Sequence, residues 1–178
     1  FFADAKEKYQ VSYPPYCLVP FPAELRLQKG ADLKVKTAWN IVAADGLSNE
    51  AAQARRVLTE RIGNIVNSRQ RGTQITLALD NSLSDDEAYT LAVDAKGVTA
   101  KGKTARGVFY ALMTLDQLLR GNGATECADA IPALFISDKP RTHVRELMVD
   151  PARTFIPFED LKAFVPEMAR YKLNAMHL

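Results

Sequence analysis

Cysteine is scarce in this chain: Cys17 and Cys127 are two thiols among 178 residues. They lie far apart, and neither has a Cys or His beside it. That excludes a disulfide-dense scaffold and a Cys/His metal site, and leaves both as small buried side chains. Long apolar runs are also missing. Nothing approaches the roughly 20 residues a helix needs to span a bilayer, so no membrane span is expected. Charge of one sign is missing too: 23 basic and 21 acidic residues are interleaved to a net +2. With no basic block to track a phosphate backbone, nucleic acid is not an expected partner. Glycine and proline, at 9 each, are too few for a fibrous or low-complexity chain. What is present, 47% hydrophobic and 25% charged residues, is the composition of a soluble globular protein.

The length suits one ordinary domain, or one small domain and a piece of another. The sequence begins at Phe1 without an initiating Met or a basic segment leading into an apolar one. An export signal is therefore expected to be absent or already removed, and Ala3-Asp4-Ala5 has the small-x-small form of a cleavage site.

The opening "YPPYCLVPFPAELRLQKG" carries Pro14, Pro15, Pro20 and Pro22, which disfavour helix and remove ladder donors. It reads as an extended lead-in to a strand at Leu25 to Leu27, and "AWNIVAAD" is the next strand. From Ser48 to Asn67, Ala51, Ala54, Leu58, Ile62 and Ile65 recur at helical spacing, with Ser48 as N-cap and Glu50 in the first turn. "QITLALD" and "AYTLAVD" alternate as half-covered strands, and "VDAKGVTA" turns the second into a hairpin. Val108, Ala111, Leu112, Leu115 and Leu119 form one stripe over Thr104 to Arg120, and Gly121 supplies a stop.

The polar loop "GNGATECADA" separates this helix from "IPALFISDKPR", and the rhythm then changes. "VRELMV" and "LNAMHL" read as strands, and between them Leu161, Phe164, Val165, Met168 and Ala169 line one helix face that Pro166 interrupts. Strand, helix and strand within about 35 residues is the size of a parallel βαβ crossover. The expected fold class is α+β: an antiparallel sheet backed by two helices, then the first βαβ unit of a larger domain. Residues 1–138 form the small domain, and residues 139–178 begin the second. A parallel sheet needs more than two strands and two covered faces. The sequence is therefore expected to be a fragment, with exposed apolar surface on its last strands that favours self-association.

Taken in order, "RGVFYALMTLDQLL", "IPALFISDKPR", "LMVDPAR" and "MARYKLNAMHL" resemble the family 20 glycoside hydrolases, the β-N-acetylhexosaminidases. The likeness covers nearly all of residues 104 to 178 and loosely the "LVPFPAELRLQKG" opening. It implies a small α+β domain followed by a (β/α)8 barrel. It also implies removal of terminal β-linked N-acetylglucosamine or N-acetylgalactosamine with retention. The attacking group is the sugar's own acetamido oxygen, aided by a paired Asp-Glu. That pair is expected downstream of Leu178, so no catalytic residue is assigned within the chain.

The substrate-binding residues the resemblance implies are Arg153, Asp150 and His177. Barrel enzymes keep their functional groups at the carboxyl ends of the strands, which is where "LMVDPAR" sets Asp150 and Arg153. A guanidinium suits adjacent sugar hydroxyls because its planar fork donates two parallel hydrogen bonds. Asp150 is read as orienting Arg153, and His177 resembles the first histidine of a His-x-His segment. Alternatively, Arg153 pairs with Asp150 or Glu159 and only caps a loop. Arg145-Glu146 stands where the family tends to have Arg-Gly, and Arg153-Thr154 where it tends to have Arg-His. No metal or organic cofactor is implied; the partner is a glycan ending in N-acetylhexosamine, and the location is periplasmic or secreted. The competing reading is a noncatalytic packing or carbohydrate-contacting module, for which Trp39, more simply a core residue, is thin support.

Overall fold

Alternating apolar residues set up the sheet around which the first two thirds of the chain fold. Ile75 and Leu77, and Tyr89, Leu91 and Val93, are buried while the residues between them are partly exposed, the two-residue period of a strand covered on one face. A computed structural model describes residues 18–63, 72–120 and 127–178. In it β1 (Glu24–Leu27), β3 (Trp39–Ala43), β4 (Thr73–Leu79), β5 (Tyr89–Asp94), β6 (Gly97–Gly102) and β8 (Leu134–Asp138) form one six-stranded sheet in the order β1-β8-β5-β6-β4-β3. A short pair, β2 (Leu33–Lys34) with β7 (Ala130–Ile131), lies apart from it. Cys17, Ala3-Asp4-Ala5, Ile65, Asn67 and Gly121 fall outside the described residues.

The expected antiparallel pairing holds for three of the five seams of this sheet. β1, β8, β5 and β6 pair antiparallel, with the expected hairpin closing at Asp94 opposite Gly97. The β3–β4 and β4–β6 seams are parallel, so the sheet is mixed. The helix α1 (Ser48–Ile62) joins β3 to β4, and a helical connection returns the chain to the end where it started. β8 pairs with both β1 and β5, so "IPALFISD" still belongs to the small domain's sheet and the chain leaves that sheet only after Asp138.

Ser48 does not cap α1. The cap position is Leu47, without a side-chain hydrogen bond; Leu47 is buried, and burial rather than a hydroxyl fixes the helix entry. The helix stops at Gly63, whose φ of 76° and N–H to the Thr59 carbonyl at 3.0 Å make a left-handed cap. α2 (Ala105–Arg120) packs against both α1 and the sheet. The predicted stripe Val108, Ala111, Leu112, Leu115 and Leu119 is fully buried, but so are Thr114, Asp116, Gln117 and Leu118, which a one-faced helix would leave wet. Gly107 lets its first turn dock: a Cβ there would stand 2.3 Å from the Ala88 carbonyl oxygen. Trp39 is fully buried, its indole N–H donating to the Val35 carbonyl at 2.9 Å. That makes it core and removes it as a sugar platform. Cys127 is half-buried, and burial raises its thiol pKa.

The last segment is the expected βαβ unit. β9 (Glu146–Met148) and β10 (Ala175–His177) pair in parallel through α3 (Phe158–Arg170), which continues past Pro166. Met168 is its buried residue, while Phe164 and Val165 are exposed, as are Val144, Met148, Phe155, Phe158 and Leu178 elsewhere in this unit.

Candidate functional site

Two places concentrate chemistry, at opposite ends of β9. Past its carboxyl end, Asp150 folds the chain back on itself: its Oδ1 accepts from the N–H groups of Ala152 at 3.0 Å and Arg153 at 3.1 Å. Its Oδ2 lies 3.1 Å from Arg153 Nε. The guanidinium is otherwise open, with 89% of the side chain exposed, and Glu159 pairs with Lys162 instead. The parallel register sets His177 opposite Met148, and the His177 carbonyl accepts from Val149 N–H at 2.9 Å. All three sequence-predicted residues therefore belong to the carboxyl edge of the same strand pair. Asp150 and Arg153 are in direct contact, and the His177 side chain is exposed.

Before the amino end of β9 lies a second group of polar side chains, Glu87 and Lys172 buried among them, and none was foreseen. Arg145 donates from Nε to the Lys172 carbonyl at 2.8 Å and from Nη1 to the Thr142 carbonyl at 2.7 Å. Its Nη2 donates to Glu87 Oε2 at 2.8 Å and to Tyr110 Oη at 3.1 Å. Asn174 stitches the two strand starts, accepting from Arg145 N–H at 2.9 Å and donating to the His143 carbonyl at 2.7 Å. Lys172 sits at φ 59°, where a helix end ordinarily places glycine. The Leu173 N–H to Met168 carbonyl bond at 2.8 Å and the Lys172 N–H to Ala169 carbonyl bond at 3.0 Å complete that motif. A lysine is held there because its ammonium reaches Tyr89 Oη at 2.7 Å and Asp138 at 3.1 Å. Glu87, Tyr89, Tyr110, Asp138, Arg145 and Lys172 line a cavity of about 360 Å³ between the sheet and the strand starts, with Phe21 at its wall.

Burial pulls the Lys172 ammonium below its ordinary 10.5, with Asp138 opposing. Burial pushes the Tyr89 phenol well above 10.0, and Asp138 adds to the rise. The fold thus keeps Tyr89 un-ionised. Its contribution to stability is whole below pH 10.0, where the unfolded phenol is also neutral, and drains as rising pH ionises the unfolded chain. Lys172 acts in the opposite sense: it sheds its proton earlier in the fold than in the unfolded chain, so stability rises with pH up to 10.5. In thermal melts between about pH 9 and pH 11, Tyr89→Phe is expected to flatten the alkaline decline relative to wild type. An unchanged slope would mean the phenol ionises as freely in the fold as outside it.

The residues of this joint were missed for an identifiable reason. Glu87 lies just ahead of "AYTLAVD", read as a strand, while Lys172 closes the segment read as a helix and Asn174 falls in "LNAMHL", read as a strand. Charge at the end of an element reads as solvated, and only the approach of the second segment buries Glu87 and Lys172. The usable signal was Arg145 directly ahead of an apolar strand.

Among the described residues no His, Cys, Asp and Glu group is arranged to hold a metal ion, and no helix is long and apolar enough to cross a membrane. Two family models match in succession: "Glycosyl hydrolase family 20, domain 2" over residues 16–139 and "Glycosyl hydrolase family 20, catalytic domain" over residues 143–178. A beta-hexosaminidase of Akkermansia muciniphila is 45% identical over 118 residues, which is 62% of this chain and 24% of that protein. A beta-N-acetylhexosaminidase of Cellulomonas fimi is 32% identical over 173 residues, 93% of this chain and 34% of that one. A mutant Streptomyces plicatus beta-hexosaminidase in complex with product (GlcNAc) superposes with a TM-score of 0.76 at 28% identity, covering 93% of this chain and 34% of that chain. The chain thus spans between a quarter and a third of the length of these relatives.

Proposed function

Since this chain belongs to glycosyl hydrolase family 20, we propose that it is the N-terminal part of an exo-acting β-N-acetylhexosaminidase that removes terminal β-linked N-acetylglucosamine or N-acetylgalactosamine with retention. The carrying observation is the parallel β9–β10 register, which brings Asp150, Arg153 and His177 to one carboxyl edge. In this reading Arg153 donates its two free Nη groups to neighbouring sugar hydroxyls, and Asp150, through Nε and the backbone turn, keeps the fork aimed. His177 borders the same sugar. The acetamido oxygen of the substrate attacks its own anomeric carbon, and this chain's residues hold the ring while that happens; proton transfer to the leaving oxygen belongs to residues other than these three.

The proposed location is periplasmic or secreted, where polymeric glycans are met. The exposed apolar residues of the βαβ unit, Phe155 and Phe158 among them, support self-association of the 178-residue stretch when it stands alone. The test is to offer the full-length protein a chromogenic β-N-acetylglucosaminide and to follow the anomeric configuration of the first-formed sugar by NMR. Release of the β-anomer is expected. No turnover would reject the hydrolase reading and leave the noncatalytic module.

A further inference from the structure

The strand that ends at the candidate sugar site, β9, is three residues long, and among the described residues it pairs with β10, equally short. Beside the grip of α2 on α3, side-chain chemistry at their amino ends ties these strands to the small domain. Arg145 spends Nε, Nη1 and Nη2 on four acceptors, and its backbone N–H and carbonyl are both engaged by residue 174. The one carboxylate in that set, Glu87, belongs to the segment before β5 in the large sheet. It is buried, its own N–H donates to Asp85 Oδ1 at 2.9 Å, and its second oxygen lies 3.5 Å from Arg106 Nη1.

Resting on the hydrolase reading, we infer that the Glu87–Arg145 pair positions barrel strand β9, and through it the Arg153 guanidinium, so that the small domain contributes to turnover without touching sugar. The lever is short and stiff. From residue 145 to residue 150 an extended chain covers about 16 Å, so a tilt of about 4° at the pinned end moves the Asp150 turn by about 1 Å. A displacement of that size in a sugar-orienting group costs up to about a hundredfold in rate. Glu87 and Arg145 are positioning residues here: they act on substrate through the strand.

The test is a cycle of four full-length proteins, namely wild type, Glu87→Gln, Arg153→Ala and the double variant. Each is assayed for kcat and KM on a chromogenic β-N-acetylglucosaminide at a temperature where near-ultraviolet circular dichroism reports it folded. Glu87→Gln is expected to lower kcat/KM by about tenfold or more in the wild-type background. With Arg153 already alanine, the same change is expected to cost less than about twofold, because the group it aims is gone. A lowered melting temperature with unchanged kcat/KM would make the pair merely structural and overturn the inference, and so would losses that multiply in the double variant. If Glu87→Gln does not fold, Tyr110→Phe takes its place in the cycle. It removes only a hydroxyl on the same Nη2, and the expected loss is about threefold with the same non-additivity. A wild type inert on the probe would overturn the hydrolase reading and this inference together; an active wild type with additive losses overturns the coupling alone.

Discussion

Replacing Arg153 by alanine in the full-length protein is expected to lower kcat/KM on a β-N-acetylglucosaminide by about 30- to 1,000-fold. The range corresponds to about 2 to 4 kcal/mol for a desolvated, charge-assisted pair of hydrogen bonds. The side chain starts 89% exposed and tied by Nε alone, so on the proposed reading a bound sugar would complete its coordination and desolvate it. Arg153→Lys keeps the charge but not the planar fork and is expected to recover only a minor part of the loss. Asp150→Asn keeps an acceptor for the turn at Ala152 and Arg153 but removes the charge beside Nε, so it falls between wild type and Arg153→Ala. Steady-state kinetics on the three variants decide the matter. Wild-type values for Arg153→Ala would return the residue to the role of a loop cap.

Gly97→Ala is expected to be the most damaging small change in the sheet. A Cβ at Gly97 would stand 1.9 Å from the Gln74 carbonyl oxygen, and Gly97 is paired with Gln74 on the parallel seam and with Asp94 across the hairpin. The obstacle is backbone inside a sheet bonded on both sides, so relief requires opening the β4–β6 ladder rather than rotating a side chain. The expected cost is about 3 kcal/mol or more, a drop of about 10 °C in the melting transition of the small domain. Calorimetry of the full-length variant measures it. A shift of a degree or two would mean the seam can part without loss.

How far the sequence alone could be read depends on which forces were local. The two-residue periods of "QITLALD" and "AYTLAVD" and the stripe through Val108, Leu112, Leu115 and Leu119 come from neighbours in the chain, and the elements stand where the pattern put them. Ser48 misled because the side chain that fixes the start of α1 is the buried Leu47, and a cap chosen by burial leaves no polar signature. The parallel seams were not foreseen, since period alone does not say which way a partner runs. The strand-end position of Asp150, Arg153 and His177 was legible, because the strands that carry them follow from the local pattern. Glu87, Arg145 and Lys172 were not, because each looks like an ordinary surface residue until a segment 34 to 83 positions away packs against it; Asn174 stays exposed and is known only by its bonds to Arg145 and His143.

The grip of α2 on its surroundings bears on how such proteins can be recombined. Asp116 of α2 holds Arg61 of α1 at 2.6 Å and Arg170 of α3 at 3.2 Å, and Gln117 bonds both the Val19 backbone and the Arg170 carbonyl. A chimera that takes its front half from one homologue and its barrel from another separates Asp116 and Gln117 from Arg170, and Glu87 from Arg145, at a seam that looks permissive in the primary structure. The exchangeable cassette therefore has to run past the end of α3 to Asn174, carrying both halves of each grip from the same parent.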